Sequence, residues 1–334
     1  MKKITAIFLA AAGLAAMCAP ALSGCGDGVK FTLSEEGGKH YIVSCSGFSS
    51  SAGEYEIPAY YGEGENYAPV TEIADEGFAG TNFSKITVPQ TVTKIGVMAF
   101  GYCHYLESVE FADGIQLEVF SNGLFGNSDK LQKIAIPDSV KILDGAVFSG
   151  CKNLSLVEMS SVESIGVRAF ASCTALEEIT LPDTLTTIGV RAFYKSGLKS
   201  VKIPDSVKDI VEVDEEGNEN TVYGLGYASF DSCVNLESVR IGSGVTVITS
   251  AAFGYCIALK EIYVPLSVKE IQGSYSENFT LLFGHAFYYD NALRDIYYEG
   301  GEEDWKNIKI DYSQSESYIN NEALKNAIKH YGSK

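Results

Sequence analysis

The stretch from Cys151 to Phe193, CKNLSLVEMSSVESIGVRAFASCTALEEITLPDTLTTIGVRAF, states one motif twice. Each copy opens on Cys, places Leu three residues later, continues through apolar residues at strand spacing to Ile-Gly, and closes on Ala-Phe. The closing residue recurs in both directions as Phe78, Phe100, Phe125, Phe148, Phe170, Phe193, Phe230, Phe253 and Phe287, at steps of 22, 25, 23, 22, 23, 37, 23 and 34 residues. A unit of about 23 residues with Leu and Ile at strand spacing marks a leucine-rich repeat solenoid. One coil cannot bury its own apolar side chains, so it must stack on its neighbours.

Residue types within a unit predict its path. Around Leu176, the apolar Ile179 and Leu181 alternate with polar residues, which predicts a short strand that turns them inward. Pro182 lacks an N–H and ends that strand. Five of the eight prolines, Pro89, Pro137, Pro182, Pro204 and Pro265, fall at this one position. Leu185 and Ile188 belong to a second extended piece, and Gly189 permits the turn that follows. Residues 190–193 read as one helical or 3-10 turn that delivers Phe193 to the core. The fold class expected is thus a β-rich repeat solenoid with one such turn per coil, capped at both ends.

Outside the repeats, residues 1–24 carry Met1-Lys2-Lys3, an apolar Ala-rich run and then Leu22-Ser23-Gly24-Cys25. This pattern is a secretion signal, and its end looks like a bacterial lipobox, with Cys25 as the lipid-bearing residue. Residues 25–69 form an N-terminal cap that reads as a β-hairpin, with Val29 to Leu33 and His40 to Cys45 alternating around a turn at Glu36-Gly37-Gly38. The solenoid is assigned to 70–298, with insertions near 211–224 and 273–284, and a C-terminal cap to 299–334.

Composition narrows the partners. The formal net charge is −18 and 46% of residues are hydrophobic, so the chain is a folded acidic protein rather than a disordered tail. Such a charge repels nucleic acid and anionic lipid headgroups.

The derived pattern, Leu-x-x-Ile-x-Ile-Pro-x-Ser-Val-x-x-Ile-x-x-x-Ala-Phe with Cys three after Phe, closely resembles the BspA-type (treponemal) subclass of leucine-rich repeats over roughly Val70 to Tyr298. The tail is also similar to the C-terminal cap of that family, in Tyr297-Tyr298-Glu299-Gly300-Gly301, Glu303-Asp304-Trp305, Ile308 and Asn321 to Ala327. The resemblance implies a bacterial surface protein of a kind often involved in adhesion to host proteins or other cells. It implies no reaction.

Residues that could carry chemistry have plainer readings. Cys103, Cys151, Cys173, Cys233 and Cys256 each lie three after a marker Phe, where other coils have Ser128, Ser196 or Asp290. They are a repeat position that calls for a small side chain. Cys151 with Cys173, and Cys233 with Cys256, lie on adjacent coils and could approach disulfide range. Without a Cys-x-x-Cys or clustered His, no metal site is expected. His40, His104, His285 and His330 sit in no catalytic motif, and the pairs Glu177-Glu178 and Glu302-Glu303 read as solvated surface. The first insertion alternates on both sides of Gly217-Asn218 and predicts a projecting hairpin tipped by Asp214, Glu215, Glu216 and Glu219. Calcium fits that ligand type, but the spacing does not match an EF-hand loop. The second insertion, rich in aromatic and apolar residues, either covers the last coils or forms a binding lip.

One outward position of the strand runs Glu110, Ala135, Glu158, Thr180, Lys202, Arg240, Tyr263, Tyr297 down the chain. It turns from acidic to basic and aromatic, and Arg and Tyr are enriched at binding hot spots. If the sheet binds a partner, Lys202, Arg240, Tyr263 and Tyr297 are the ligand-binding residues. The expectation is a lipid-anchored extracytoplasmic module that recognises a host or bacterial surface protein or glycan, with no cofactor, metal or catalysis. A non-adhesive envelope scaffold, and a solute-binding lipoprotein or hydrolase, are the rivals.

Overall fold

The computed structural model describes residues 28–36, 38–45, 53–213, 219–273, 275–277, 281–283, 285–312 and 321–333. Residues 1–24, expected as a secretion signal, and Cys25 lie outside the described residues, as does the acidic tip around Asp214 to Gly217. No helix among the described residues is long and apolar enough to cross a membrane.

Most coils lay down one strand in each of two parallel rows. The first row comprises Glu54–Glu56, Lys85–Val88 and Ser108–Phe111, then Lys133–Ala135 and Leu156–Glu158, then Ser200–Lys202, Ser238–Arg240, Glu261–Val264, Asp295–Tyr298 and Ile328–Tyr331. Their pairing is parallel and in fixed register. The second row consists mostly of two-residue strands, among them Ile142–Leu143, Ser164–Ile165 and Thr187–Ile188, again parallel. Central residues of the first row, such as Val239, Ile262 and Ile296, are buried, while their neighbours on either side face solvent or lie half-buried. Period-two alternation has that result when one sheet face is covered.

One repeat departs from the expected path. Residues 177–181 lie outside any strand, although Leu176 and Leu181 are buried and Ile179 is half-buried. This coil bonds its neighbours at its ends, Ala175 N–H to Lys152 O and Lys199 N–H to Glu177 O, so the apolar pattern survives without a ladder.

The corner that reads as a helical or 3-10 turn is built differently. Residues two before and two after the marker Phe take left-handed backbone angles, as at Arg168 (φ 57°) and Ser172 (φ 61°) around Phe170. Linked β-turns replace the helical turn, and they aim alternate N–H groups at the next coil. Arg168, Phe170 and Ser172 donate to the carbonyls of Val190, Ala192 and Tyr194 at 3.0, 2.7 and 2.7 Å. This third ladder offsets a left-handed cost of roughly 1–2 kcal/mol per non-Gly residue. Gly189 serves close approach rather than a left-handed turn: a Cβ there would lie 2.6 Å from the carbonyl carbon of Gly166 in the preceding coil.

The marker phenylalanines form a continuous stack down the core. Phe125, Phe148, Phe170, Phe193 and Phe230 follow one another with ring centroids 5.3, 5.1, 5.2 and 5.0 Å apart. All are fully buried.

At the N-terminal end, Val29–Ser34 and His40–Cys45 form the expected antiparallel hairpin, whose second strand runs parallel to Ala68–Ile73. Val29, Phe31 and Leu33 pack on the core from this lid. The first insertion is an antiparallel pair, Ile210–Val213 with Glu219–Val222. A second pair, Tyr275–Glu277 with Leu281–Phe283, lies in the second insertion, where the sequence left the path open. At the C-terminal end, helix Glu302–Lys306 buries Trp305 edge-on against Tyr298 at 5.2 Å. Helix Glu322–Asn326 buries Leu324 and leads into the last strand of the first row.

Candidate ligand-binding face

Parallel register alone brings the sequence-selected residues together. Lys202 lies opposite Arg240, Arg240 opposite Tyr263, and Tyr263 opposite Tyr297. A fifth residue, His330, pairs with Tyr297. The four from Arg240 onward form one stack. The Arg240 guanidinium carbon sits 4.2 Å from the centre of the Tyr263 ring. Tyr263 and Tyr297 stack at 4.5 Å with planes 11° apart, and Tyr297 and His330 at 4.6 Å and 15°. Lys202 and Arg240 are exposed; the three rings are half-buried, because each covers the next. Stacked aromatic pairs and Arg over a ring each contribute about 0.5–1.5 kcal/mol, so the column is preorganised before any ligand arrives.

Sequence spacing does not place His330 in this column, because it follows the tail helix and carries neither the Leu nor the Pro of a repeat. The alternation of Ile328-Lys329-His330-Tyr331 after that helix is the signal that could have found it.

On the same face, two residues earlier in each strand, runs a second column of Ser200, Ser238, Glu261, Asp295 and Ile328. The Ser238 hydroxyl donates to Glu261 Oε1 at 3.0 Å, and Asp295 Oδ1 lies 2.8 Å from His330 Nε2. Desolvation by the stack, followed by the negative charge of Asp295, pushes the Tyr297 phenol above its ordinary range, so Tyr297 presents a hydroxyl. Asp205, near Lys202, is engaged by the Ser243 N–H at 2.7 Å, and its carboxyl is held below the usual value mainly by that bond. Toward the N-terminus the face changes character: Thr87 lies opposite Glu110, Ala135 lies opposite Glu158, and Glu110 is tied to Lys85 at 2.8 Å.

The cysteine column has a structural task that sequence spacing did not reveal. Each thiol donates to the carbonyl of the marker Phe in the preceding coil: Cys103 to Phe78, Cys151 to Phe125, Cys173 to Phe148, Cys233 to Phe193 and Cys256 to Phe230, at 3.1–3.2 Å. Ser128 does the same to Phe100 at 2.7 Å. The position selects for a small donor. All five thiols are free and buried, so neither of the adjacent-coil pairs is bridged. Among the described residues no group of three or more His, Cys, Asp or Glu converges as a metal site would require. A groove of about 380 Å³ outside the second row is lined by Thr93, Lys94, Ile95, Gln116, Glu118, Val119 and Ser121. The Ser121 hydroxyl in it donates to the Ile95 carbonyl.

The model of the BspA-type leucine-rich repeat region matches the chain in six copies across residues 71–170, 157–213 and 218–298, well over half its length. Among solved structures, a leucine-rich repeat protein from Bacteroides ovatus superposes with a TM-score of 0.53 at 22% identity, covering 81% of each chain. A leucine-rich cell surface protein from Faecalibacterium prausnitzii, also 22% identical, covers 86% of this chain and 97% of its own with a TM-score of 0.48. The leucine-rich repeat protein of T. pallidum is 21% identical over 71% of this chain and 79% of its own, with a TM-score of 0.35. No curated protein matches the chain.

Proposed function

The chain belongs to the BspA-type leucine-rich repeat family, and from that premise we propose that it is a lipid-anchored module of the bacterial surface that recognises a protein or glycan through the outer face of its first row of strands. The observation that carries this reading is the Arg240–Tyr263–Tyr297–His330 stack beside Lys202. Parallel strands hold these side chains at fixed spacing, so little conformational entropy is lost when a ligand docks. A rigid ladder with one polar tip per strand suits an extended partner better than a compact solute, which would need a concave pocket.

Leu22-Ser23-Gly24-Cys25 supports attachment through an acylated Cys25. A second acyl chain converts marginal membrane binding into stable anchoring, at about 0.8 kcal/mol per buried CH₂. Palmitate labelling in a bacterial host tests the anchor: label should enter the chain and be absent from the Cys25→Ser variant. Equal labelling of both would remove it. The binding role is tested by loss of saturable ligand binding on substitution of the column. A folded protein that binds no surface ligand would favour the envelope scaffold.

A further inference from the structure

We propose that the ligand of this face is an oligosaccharide bearing a carboxylate, bound with its acid group at Lys202 and Arg240 and its hydroxyls along Tyr263, Tyr297, Glu261 and Asp295. The inference rests on the reading of this face as ligand-binding and adds the chemistry of what it binds.

The stack itself limits the choice. Its members lie nearly parallel at 4.5 and 4.6 Å with Arg240 closing one end, so the ring faces from Tyr263 to the inner side of His330 are taken. What reaches solvent is a row of ring edges and polar tips, about 4.8 Å apart from strand to strand. A protein hot spot buries an aromatic or aliphatic anchor in a desolvated pocket. Of these ring faces only the outer side of His330 is left, and that imidazole is tied to Asp295 at 2.8 Å. A peptide backbone would seek a sheet edge, not the tips of a sheet face.

A polyol fits better. A sugar hydroxyl both donates and accepts, and the two columns offer both roles side by side. Tyr263, Tyr297 and Arg240 present donors, and Glu261 and Asp295 present acceptors, on the same strands and two residues apart. Each hydroxyl of an extended glycan can therefore bond on both sides along the row.

Charge sets the remaining feature. On the rim of the sheet Lys199 and Lys260 are neutralised by Glu177 and Glu237 at 2.5 and 2.7 Å. Among the described residues Lys202 and Arg240 make no ion pair of that kind, and Asp205, near Lys202, is already held by Ser243. A guanidinium donates two parallel hydrogen bonds to a carboxylate in a bidentate pair. More than one negative group is disfavoured, since Glu261 and Asp295 follow directly and the whole chain carries −18. One carboxylate at the cationic end with neutral sugar beyond it matches this order of charges; a sulfated polyanion does not.

The test presents the full chain in detergent micelles to immobilised oligosaccharides in three matched sets: neutral, carrying one sialic or uronic acid, and multiply sulfated. Affinities of the hits are then measured for the wild type, Arg240→Ala, Tyr297→Phe and the remote control Glu110→Ala, each confirmed folded by its thermal transition. The singly carboxylated set should bind, at least about tenfold tighter than its neutral counterparts. Arg240→Ala should lose that advantage, Tyr297→Phe should weaken all hits, and Glu110→Ala should change nothing. Preference for neutral or sulfated glycans, or carboxylate binding indifferent to Arg240→Ala, overturns the inference. Host proteins are presented in parallel. Binding to one of them that Arg240→Ala abolishes, with no glycan bound, sinks the glycan assignment and leaves the binding face standing.

Discussion

Phe193 and Phe230 stack 5.0 Å apart with planes 3° from parallel, although the step between them is 37 residues instead of about 23. The extra residues leave the coil and return to it without disturbing the core. Gly224 N–H donates to Asp209 Oδ1 at 2.9 Å, and a Cβ on Gly224 would lie 2.5 Å from the Lys208 carbonyl oxygen, so the two ends of the insertion meet. Leu225 then resumes the second row opposite Ile188.

Excision of the hairpin between Asp209 and Tyr223, with a two-residue Gly-Ser join, should therefore leave the fold intact. Loop length enters stability only logarithmically, so the change should stay within about 1 kcal/mol. Chemical denaturation of the excised and full chains checks this. A loss of several kcal/mol would mean that the hairpin packs on the coils and is part of the core.

The Phe column predicts the opposite response. Phe193→Ala removes a fully buried ring from between two parallel neighbours and should cost about 3–5 kcal/mol, with Phe193→Leu well below that. Equilibrium unfolding of both variants measures the difference. Similar small costs would show that the stack relaxes into the space.

The thiols give a second probe of the core. Burial pushes Cys151 and Cys233 up to about 12, and Cys173 and Cys256 well upward, so these groups stay protonated through mildly alkaline pH. Thiol reagent at pH 9 should leave all five repeat cysteines unmodified in the folded protein and modify them only as it unfolds. Fast labelling of any of them in the native state would contradict the donor role of that column. Replacement of Cys173 by Ser, which keeps the donor, should cost less than replacement by Val.

Much of this was legible because a repeat turns sequence spacing into register. Phe marks the core and Pro the strand end in coil after coil, and Lys202, Arg240, Tyr263 and Tyr297 could be aligned by counting from those marks. His330 could not, since no mark precedes it. The left-handed corners were equally hidden: Glu76, Met98, Ala146 and Arg168 occupy them without a glycine to announce the geometry, because the hydrogen bonds their N–H groups donate to the next coil impose it. The thiol donors were hidden for the same reason. Their partner is a carbonyl one coil away, which spacing alone does not show.

Asp290 is the exception in the donor column, and it carries a pH dependence. It is 1% exposed, accepts from Cys256 N–H at 2.8 Å through Oδ1, and has no hydrogen-bond partner at Oδ2 among the described residues. Burial, with Asp231 nearby, holds its carboxyl well above the usual range. A raised folded-state value means that the stability it contributes is present below about pH 4, where both states are protonated, and is lost as pH rises toward the folded value. Asp290→Ser should flatten that decline and stabilise the protein at neutral pH by about 1–3 kcal/mol, the cost of a buried unsatisfied group. Unfolding curves at pH 4 and pH 7 decide it; equal effects at both would place the Asp290 carboxyl in its ordinary range.

The most direct test of the account is binding of the full chain in detergent to an array of host matrix proteins, mucins and glycans, with the double variant Arg240→Ala, Tyr263→Ala measured alongside. Saturable binding by the wild type, lost by a double variant with an unchanged unfolding transition, is the result expected of a surface module that reads its ligand on this face. Binding retained in full by the double variant would contradict it.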